Sequence, residues 1–191
     1  MGARTARHAV LSETATFDKK EGHLRVVIET PKGSRNKYDY DPECDCLELA
    51  TVLPEGMVFP FDFGFIPSTL GDDGDPLDIL VLMDTPVVPG CVVRSRLLGV
   101  IKAKQKEKEK EWTRNDRLIA VAANAENHAT ARSLTDLRPG LVRNIEAFFS
   151  QYNRLRDRKF KPVGEGDARE AERLIKRGRK AFSHRDGGEN G

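Results

Sequence analysis

The stretch GDDGDPLDILVLMD, Gly71–Asp84, crowds four aspartates into seven residues and then runs directly into five consecutive apolar side chains. The apolar run ILVLM is bounded by turn residues and is too short for an ordinary helix, so it reads as a buried strand. Carboxylates a few ångströms apart repel one another, and such a crowd persists where something cationic binds or where the site is well solvated. Asp73, Asp75 and Asp78 are the members that can converge: Asp78 opens the strand, and the Gly-Asp-Pro turn before it holds the other two close by. Hard oxygen donors of this kind suit Mg²⁺ or Mn²⁺. A calcium loop starting at Asp73 fails, because Asp78 stands where that loop needs glycine and Pro76 interrupts the ligands. A solvated acidic turn is the plain alternative, but the strand behind the cluster anchors it on a rigid element.

Upstream, short β-type runs follow one another: LRVVIET from Leu24, KYDYD from Lys37 and CLELATVL from Cys46, separated by the turn segments PKGSRN and DPECD. MVFPFDFGFIP interleaves four aromatics with Pro60, Gly64 and Pro67 and is too broken for a helix. Downstream, CVVRSRLLGVIKA and RLIAVAA read as two more strands. The last third changes period. In RPGLVRNIEAFFSQYNRL the residues Leu141, Ile145, Phe148, Phe149 and Tyr152 share one helical face, with Pro139 near the start. GDAREAERLIKRGRKAF is a second helix, acidic at Asp167 and Glu170 and basic towards its end. Residues 1–22 read as a flexible arm, 23–182 as a single domain and 183–191 as a disordered tail. The class is α+β.

With 191 residues the chain suits one domain with a proper core. A net charge of +2 argues for neither nucleic acid nor an anionic membrane. No apolar run approaches the roughly 18 residues of a spanning helix. The N-terminus lacks the apolar core of a secretory signal, and Ala6 stands where N-myristoylation wants Ser or Thr. Three cysteines, with Cys44 and Cys46 one residue apart, make no disulfide framework. His8, His23, His128 and His184 are scattered without ligand spacing. A cytoplasmic location is expected. The basic run RLIKRGRK has no interleaved aromatic platform, which argues against nucleic acid.

DGDPLD (Asp73–Asp78) resembles the signature of the family I soluble inorganic pyrophosphatases, Asp-x-Asp-Pro-x-Asp followed by apolar residues. VVIETPKGSRNKYDYD, FPFDFGFIPSTL, PVVPGCVVRSRLLGVIK, DRLIAV and FFSQYNRL resemble the family's flanking segments in the same order, over about residues 25–160. The resemblance implies a five-stranded OB-like antiparallel β-barrel with helices packed outside, a homo-oligomer, and a Mg²⁺-dependent diphosphatase, with Mn²⁺ as a substitute. It implies Asp73 and Asp78 as metal ligands, with Asp116 a candidate third, and Asp75 as general base towards a metal-polarised water. Lys37, Arg117 and Tyr152 would contact phosphate oxygens, and Glu29 and Asp39 would orient waters or a further ion on the substrate side.

The resemblance breaks at several of these positions. Where the family carries an arginine the chain has Thr51, two tyrosines are Phe59 and Phe63, and a lysine is Asn153. Two aspartates fall on Gln105 and Asn115, with Asp116 one residue further on. Two carboxylates and two cations are thus lost together, which implies either altered metal use or a repurposed protein that binds a phosphate-bearing ligand or partner. The nearby KAKQKEKEKEW is expected as a solvated helix. As a hairpin arm it would instead put Lys102, Lys104, Lys106, Lys108 and Lys110 on one face.

Overall fold

In the computed structural model, which describes residues 10–186, all of the ILVLM run but Met83 lies on strand β5 (Leu77–Leu82). Four partners complete a ring with it: β1 (Leu24–Thr30), β4 (Asp62–Ile66), β6 (Val92–Lys106) and β8 (Arg117–Ala122). They pair in the order β1-β4-β5-β8-β6, and β6 returns to β1, which closes a five-stranded barrel. The expected OB-like α+β architecture is the one observed. One feature differs: β5 and β8 run parallel, with Ile79 opposite Leu118, so the ring is not purely antiparallel. A parallel pair needs a crossover, and β6 with the hairpin that follows it supplies that connection. β8 is buried along its whole length, and β5 is buried from Ile79 onward. That burial is why these strands read as continuous apolar runs without alternation.

The 15 residues of β6 bend to serve several partners. One edge pairs with β1 through Val92–Ser95 and then with β9 (Lys159–Asp167) through Gly99–Lys106, while β8 takes the other edge. Nothing in the sequence announced β9, because Pro162, Gly164 and Gly166 punctuate it. It is an edge strand, where such residues are tolerated. The expected helix over the Lys/Glu-rich segment is corrected: β6 continues to Lys106, turns, and returns as β7 (Thr113–Arg114), with Lys104 opposite Arg114 and Gln105 opposite Thr113. Ladder hydrogen bonds decide the matter where charge pattern alone allows both periods.

A separate hairpin is made by β2 (Asn36–Asp41) and β3 (Cys46–Val52). Cys44 and Cys46 are bonded to each other in its turn, a local staple that frames nothing larger. Helix α1 (Leu141–Arg154) starts after Gly140, which adopts φ 81° at the N-cap, so Pro139 precedes the cap. Helix α2 (Ala168–Asp186) is capped by Asp167, whose Oδ1 accepts the Glu170 N–H at 2.8 Å. It runs four residues past Phe182, where the tail was expected to begin. The arm is docked over residues 10–22: Thr16 Oγ1 donates to Pro67 O at 3.0 Å, and the Ser68 N–H reaches Ser12 O at 2.7 Å. Residues 1–9 and 187–191, with His8, the myristoylation position and the ends of the expected arm and tail, lie outside the described residues. Among those described, no helix is long and apolar enough to cross a membrane.

Where β4 crosses β1, Gly64 lies so close that a Cβ there would sit 1.9 Å from Val27 O and 2.9 Å from Ile28 Cα. A methyl group at this point forces the two backbones apart. Gly64→Ala is expected to destabilise the protein by about 3 kcal/mol in denaturant unfolding, the scale of severe overpacking. A loss below about 0.5 kcal/mol would mean that β1 and β4 separate without resistance.

Candidate active site

The site is an open cleft of about 560 Å³ at one rim of the barrel, lined by β1, β2, the turn before β5, the β6–β7 hairpin and the end of α1. Its floor is aromatic. Phe59 and Phe63 meet at 5.6 Å between ring centroids, Phe63 meets Phe149 at 5.7 Å, and Phe149 meets Tyr152 at 6.4 Å. Onto this apolar floor the strands set charges.

Glu29, next to last on β1, faces Lys37 on β2; both are buried, and Lys37 Nζ lies 3.1 Å from Glu29 Oε2. The same ammonium reaches Asp39 Oδ1 at 2.5 Å and the Tyr38 carbonyl. Lys37 and Asp39 share a face because strand side chains alternate with period two. Glu29 Oε1 accepts the Tyr40 N–H at 2.9 Å, which ties the hairpin to the barrel.

The acidic turn is built by its own backbone. Gly71 N–H donates to Asp75 O at 2.7 Å, Gly74 adopts φ 92°, and the Asp75 N–H reaches Asp73 Oδ1 at 3.4 Å. A Cβ at Gly71 would come within 2.8 Å of Asp73 Oδ1, so the glycine leaves room for that carboxylate. Asp78, second on β5, stands beside Arg117, the first residue of β8, because the register one step further in aligns Ile79 with Leu118. Arg117 Nη1 is 2.5 Å from Asp78 Oδ2. The guanidinium lies over Phe149 at 4.9 Å, over Phe160 at 5.5 Å and over Phe63 at 5.9 Å. Its Nε is buried without a hydrogen-bond partner.

Of the expected residues, Asp73, Asp75, Asp78, Glu29, Lys37, Asp39, Arg117 and Tyr152 all line this cleft. Asp116 does not. Its carboxylate turns away, accepting the Ala103 N–H at 3.0 Å and the Arg114 Nε–H at 2.7 Å, so it serves the hairpin as a structural acceptor. Neighbouring residues on an extended chain point to opposite faces, and Asn115 takes the inward place. Asn115 Oδ1 accepts from Arg117 Nη1, and Asn115 Nδ2 donates to Gln105 Oε1 at 3.3 Å. The two amides therefore hold each other and the guanidinium. Phe63 also has work without a hydroxyl: Lys37 Nζ lies 5.1 Å from its ring centroid. Asn153 is buried, donating Nδ2–H to Phe149 O at 2.9 Å, and Thr51 sits opposite Lys37 across the hairpin but outside the cleft lining. Glu107, Arg156 and Arg158 line the cleft without having been singled out, and Lys110 is the one lysine of the expected hairpin face that does so. Nothing in a loop-borne charge marks it off from a solvated one.

Burial, with Lys37 opposing it and Asp78 adding to it, raises the Glu29 carboxyl to about 7. Asp73 rises to about 6, through desolvation and then through the Asp78 and Asp75 charges. Asp75 and Asp78 are also raised, each first by desolvation. Burial works against the Lys37 ammonium, yet Glu29 and Asp39 keep it raised. The acidic wall is a cation-demanding surface.

No three acidic, histidine or cysteine side chains among the described residues already converge into a closed cage for one ion. Mg²⁺ does not require a cage: it keeps several waters and takes one or two carboxylates together with substrate phosphates. The donor chemistry of Asp73, Asp75 and Asp78, each carboxyl held up by desolvation and Asp73 further by both of the others, fits such an ion.

A small barrel with a carboxylate wall facing Lys and Arg is the site of a phosphate-handling metalloprotein. The family model for inorganic pyrophosphatase matches residues 26–183. The inorganic pyrophosphatase of Leifsonia xyli is 42% identical over 154 residues, covering 80% of this chain and 91% of the relative. That of Thermus thermophilus is 39% identical over 155 residues, covering 81% and 86%. A Thermus thermophilus inorganic pyrophosphatase crystal structure superposes with a TM-score of 0.82 at 34% identity, covering 92% of this chain and 99% of that one. The chain belongs to the inorganic pyrophosphatase family.

The raised carboxyls carry a sign for stability. In the metal-free protein, Glu29 binds its proton up to about pH 7 when folded, but only to about 4.5 when unfolded. The folded state thus holds more protons between these values, and stability falls as pH rises through that window. Below it both states are protonated, and above it the penalty is complete. Thermal unfolding in EDTA should show Tm decreasing from about pH 4.5 to 7, with Glu29→Gln flattening part of the slope. Added Mg²⁺ should raise Tm more at pH 8 than at pH 5. An equal rise at both would mean that the carboxylate wall is not what the ion meets.

Proposed function

We propose that the protein hydrolyses inorganic pyrophosphate to two phosphates with Mg²⁺, Mn²⁺ substituting, as a cytoplasmic homo-oligomer. The observation that carries this reading is the aspartate trio facing Lys37 and Arg117 across one cleft, in a chain of this family. Asp73 and Asp78 would hold Mg²⁺, which when bound supplies Lewis-acid polarisation and charge neutralisation. Asp75, between them in sequence and open to the cleft, takes the proton of the attacking water. Its raised carboxyl brings it nearer to the operating pH, where a general base is most useful. Lys37, fixed by Glu29 and Asp39, and Arg117, fixed by Asn115 and Asp78, meet the charge on the phosphoryl oxygens. Tyr152 presents its hydroxyl on the product side. The aromatic floor excludes water from beneath these charges and strengthens them.

Phosphate release from pyrophosphate with Mg²⁺ tests the activity, and Asp75→Asn should lower kcat by roughly 10²- to 10⁴-fold. Pyrophosphate binding without turnover under every divalent metal would replace hydrolysis by a binding role, and full activity of the variant would remove Asp75 as base.

A second expectation follows from the amide pair. Gln105→Asp with Asn115→Asp sets two carboxylates where an N–H···O contact of 3.3 Å now stands. Without metal they repel, so the apo double variant should unfold at lower temperature; with metal, half-saturating Mg²⁺ should fall and the rate should rise. An unchanged Mg²⁺ midpoint would mean that this wall takes no ion.

A further inference from the structure

The mouth of the cleft carries charges that the reaction above does not use. Glu107, one residue past the end of β6, has both carboxylate oxygens engaged: Oε1 with Arg158 Nη2 at 2.7 Å and Oε2 with Lys110 Nζ at 2.5 Å. The partners come from two segments. Lys110 belongs to the same turn, closed by its N–H to Glu107 O at 3.2 Å. Arg158 belongs to the turn after α1, which is shaped by Asp157 at φ 54° and by the Arg158 N–H donating to Asn153 O at 2.9 Å. Beside it, Arg156 lies over the Tyr152 ring at 5.4 Å and donates to the Tyr152 hydroxyl. Glu107, Lys110, Arg156 and Arg158 all line the same cleft as Asp75.

One carboxylate held between a guanidinium and an ammonium has the geometry of a bound oxyanion. A guanidinium's paired donors accept phosphate as readily as carboxylate, and a phosphate brings more charge and more oxygens. The contacts of Glu107 are also easily broken: its side chain is 31% exposed, that of Arg158 34% and that of Lys110 71%. Partly exposed pairs of this kind contribute little, because water and salt screen them. A buried tie would hold its place when substrate enters; this one yields.

Resting on the pyrophosphatase reading of the cleft, we infer that Glu107 is an internal competitor anion that occupies a phosphate subsite formed by Arg158 and Lys110 at the cleft mouth. Substrate or product phosphate displaces the carboxylate and takes over both cations, and Glu107 thereby sets the affinity. Glu107 acts through Arg158 and is a positioning residue; Arg158 touches the ligand.

Opposite signs separate this role from a structural clasp. Calorimetric titration of inorganic phosphate into the Mg²⁺-loaded protein should show Glu107→Gln binding about threefold tighter or more, and Arg158→Gln about tenfold weaker. The double variant Glu107→Gln/Arg158→Gln should gain less over Arg158→Gln alone than Glu107→Gln gains over the native protein, since only Lys110 then remains for the competitor to hold. KM for pyrophosphate should move in the same directions, with kcat changing less. If both single variants weaken phosphate binding, the pair is only a structural tie and the inference falls, while native turnover leaves the pyrophosphatase reading standing. If the native protein binds no phosphate, the inference falls as well. Opposite signs in binding with no turnover by the native protein would keep the subsite and remove the activity.

Discussion

The register between β5 and β8 is the constraint on which the site depends. Because Ile79 and Leu118 are aligned in a parallel pair, Asp78 and Arg117 emerge side by side at the same rim of the barrel. Slipping either strand by one residue would turn one of these charges into the core, where an unpaired ion is very costly. Parallel pairing also leaves the start of both strands at one end, so the turn carrying Asp73 and Asp75 opens onto the same cleft. A closed ring of buried strands makes the register rigid, and the rigidity holds these charges close to one another.

Aromatic rings do a second job beneath those charges. Phe63 and Phe149 are core residues by their burial, yet each also offers a face to a cation, Lys37 or Arg117. Where the family resemblance implies a tyrosine at position 63, the phenylalanine gives up a hydroxyl and keeps the face. The amides at Gln105 and Asn115 make a comparable exchange. They do not gather charge around an ion; they orient a guanidinium that is already present. The site is therefore poorer in carboxylates than the resemblance implies and richer in fixed donors.

Much of the architecture could be read from the chain directly. Alternation and short apolar runs located β1, β5, β6, β8 and both helices, since burial on one face or on two leaves a visible period, whereas β4 lay inside the aromatic segment that read only as too broken for a helix. The edge strand β9 was hidden because an exposed edge needs little apolar content and tolerates Pro162 and Gly164. The Lys/Glu-rich arm was ambiguous because alternating charge satisfies a helix surface and a hairpin equally, and only the ladder to Thr113 and Arg114 distinguishes them. Asp116, expected beside the other aspartates, lies outside the cleft lining for a similar reason. A residue number says how far along the strand a carboxylate lies, whereas the pleat decides whether it faces the cleft or the Ala103 N–H.

What the sequence by itself determined is the kind of chemistry and its carriers: Asp73, Asp75 and Asp78 ahead of a buried strand, with Glu29 and Lys37 on runs that had to pair. Local spacing and residue type suffice for that, because like charges on a rigid turn need a partner wherever they are. Tertiary structure alone decided which distant residues close the cleft. Glu107, Lys110, Arg156 and Arg158 come from a hairpin and from a turn after a helix, some fifty residues apart, and meet only because β6 pairs with both β7 and β9. Contacts of that range leave no periodic trace in the chain. They follow from the bend of one long strand.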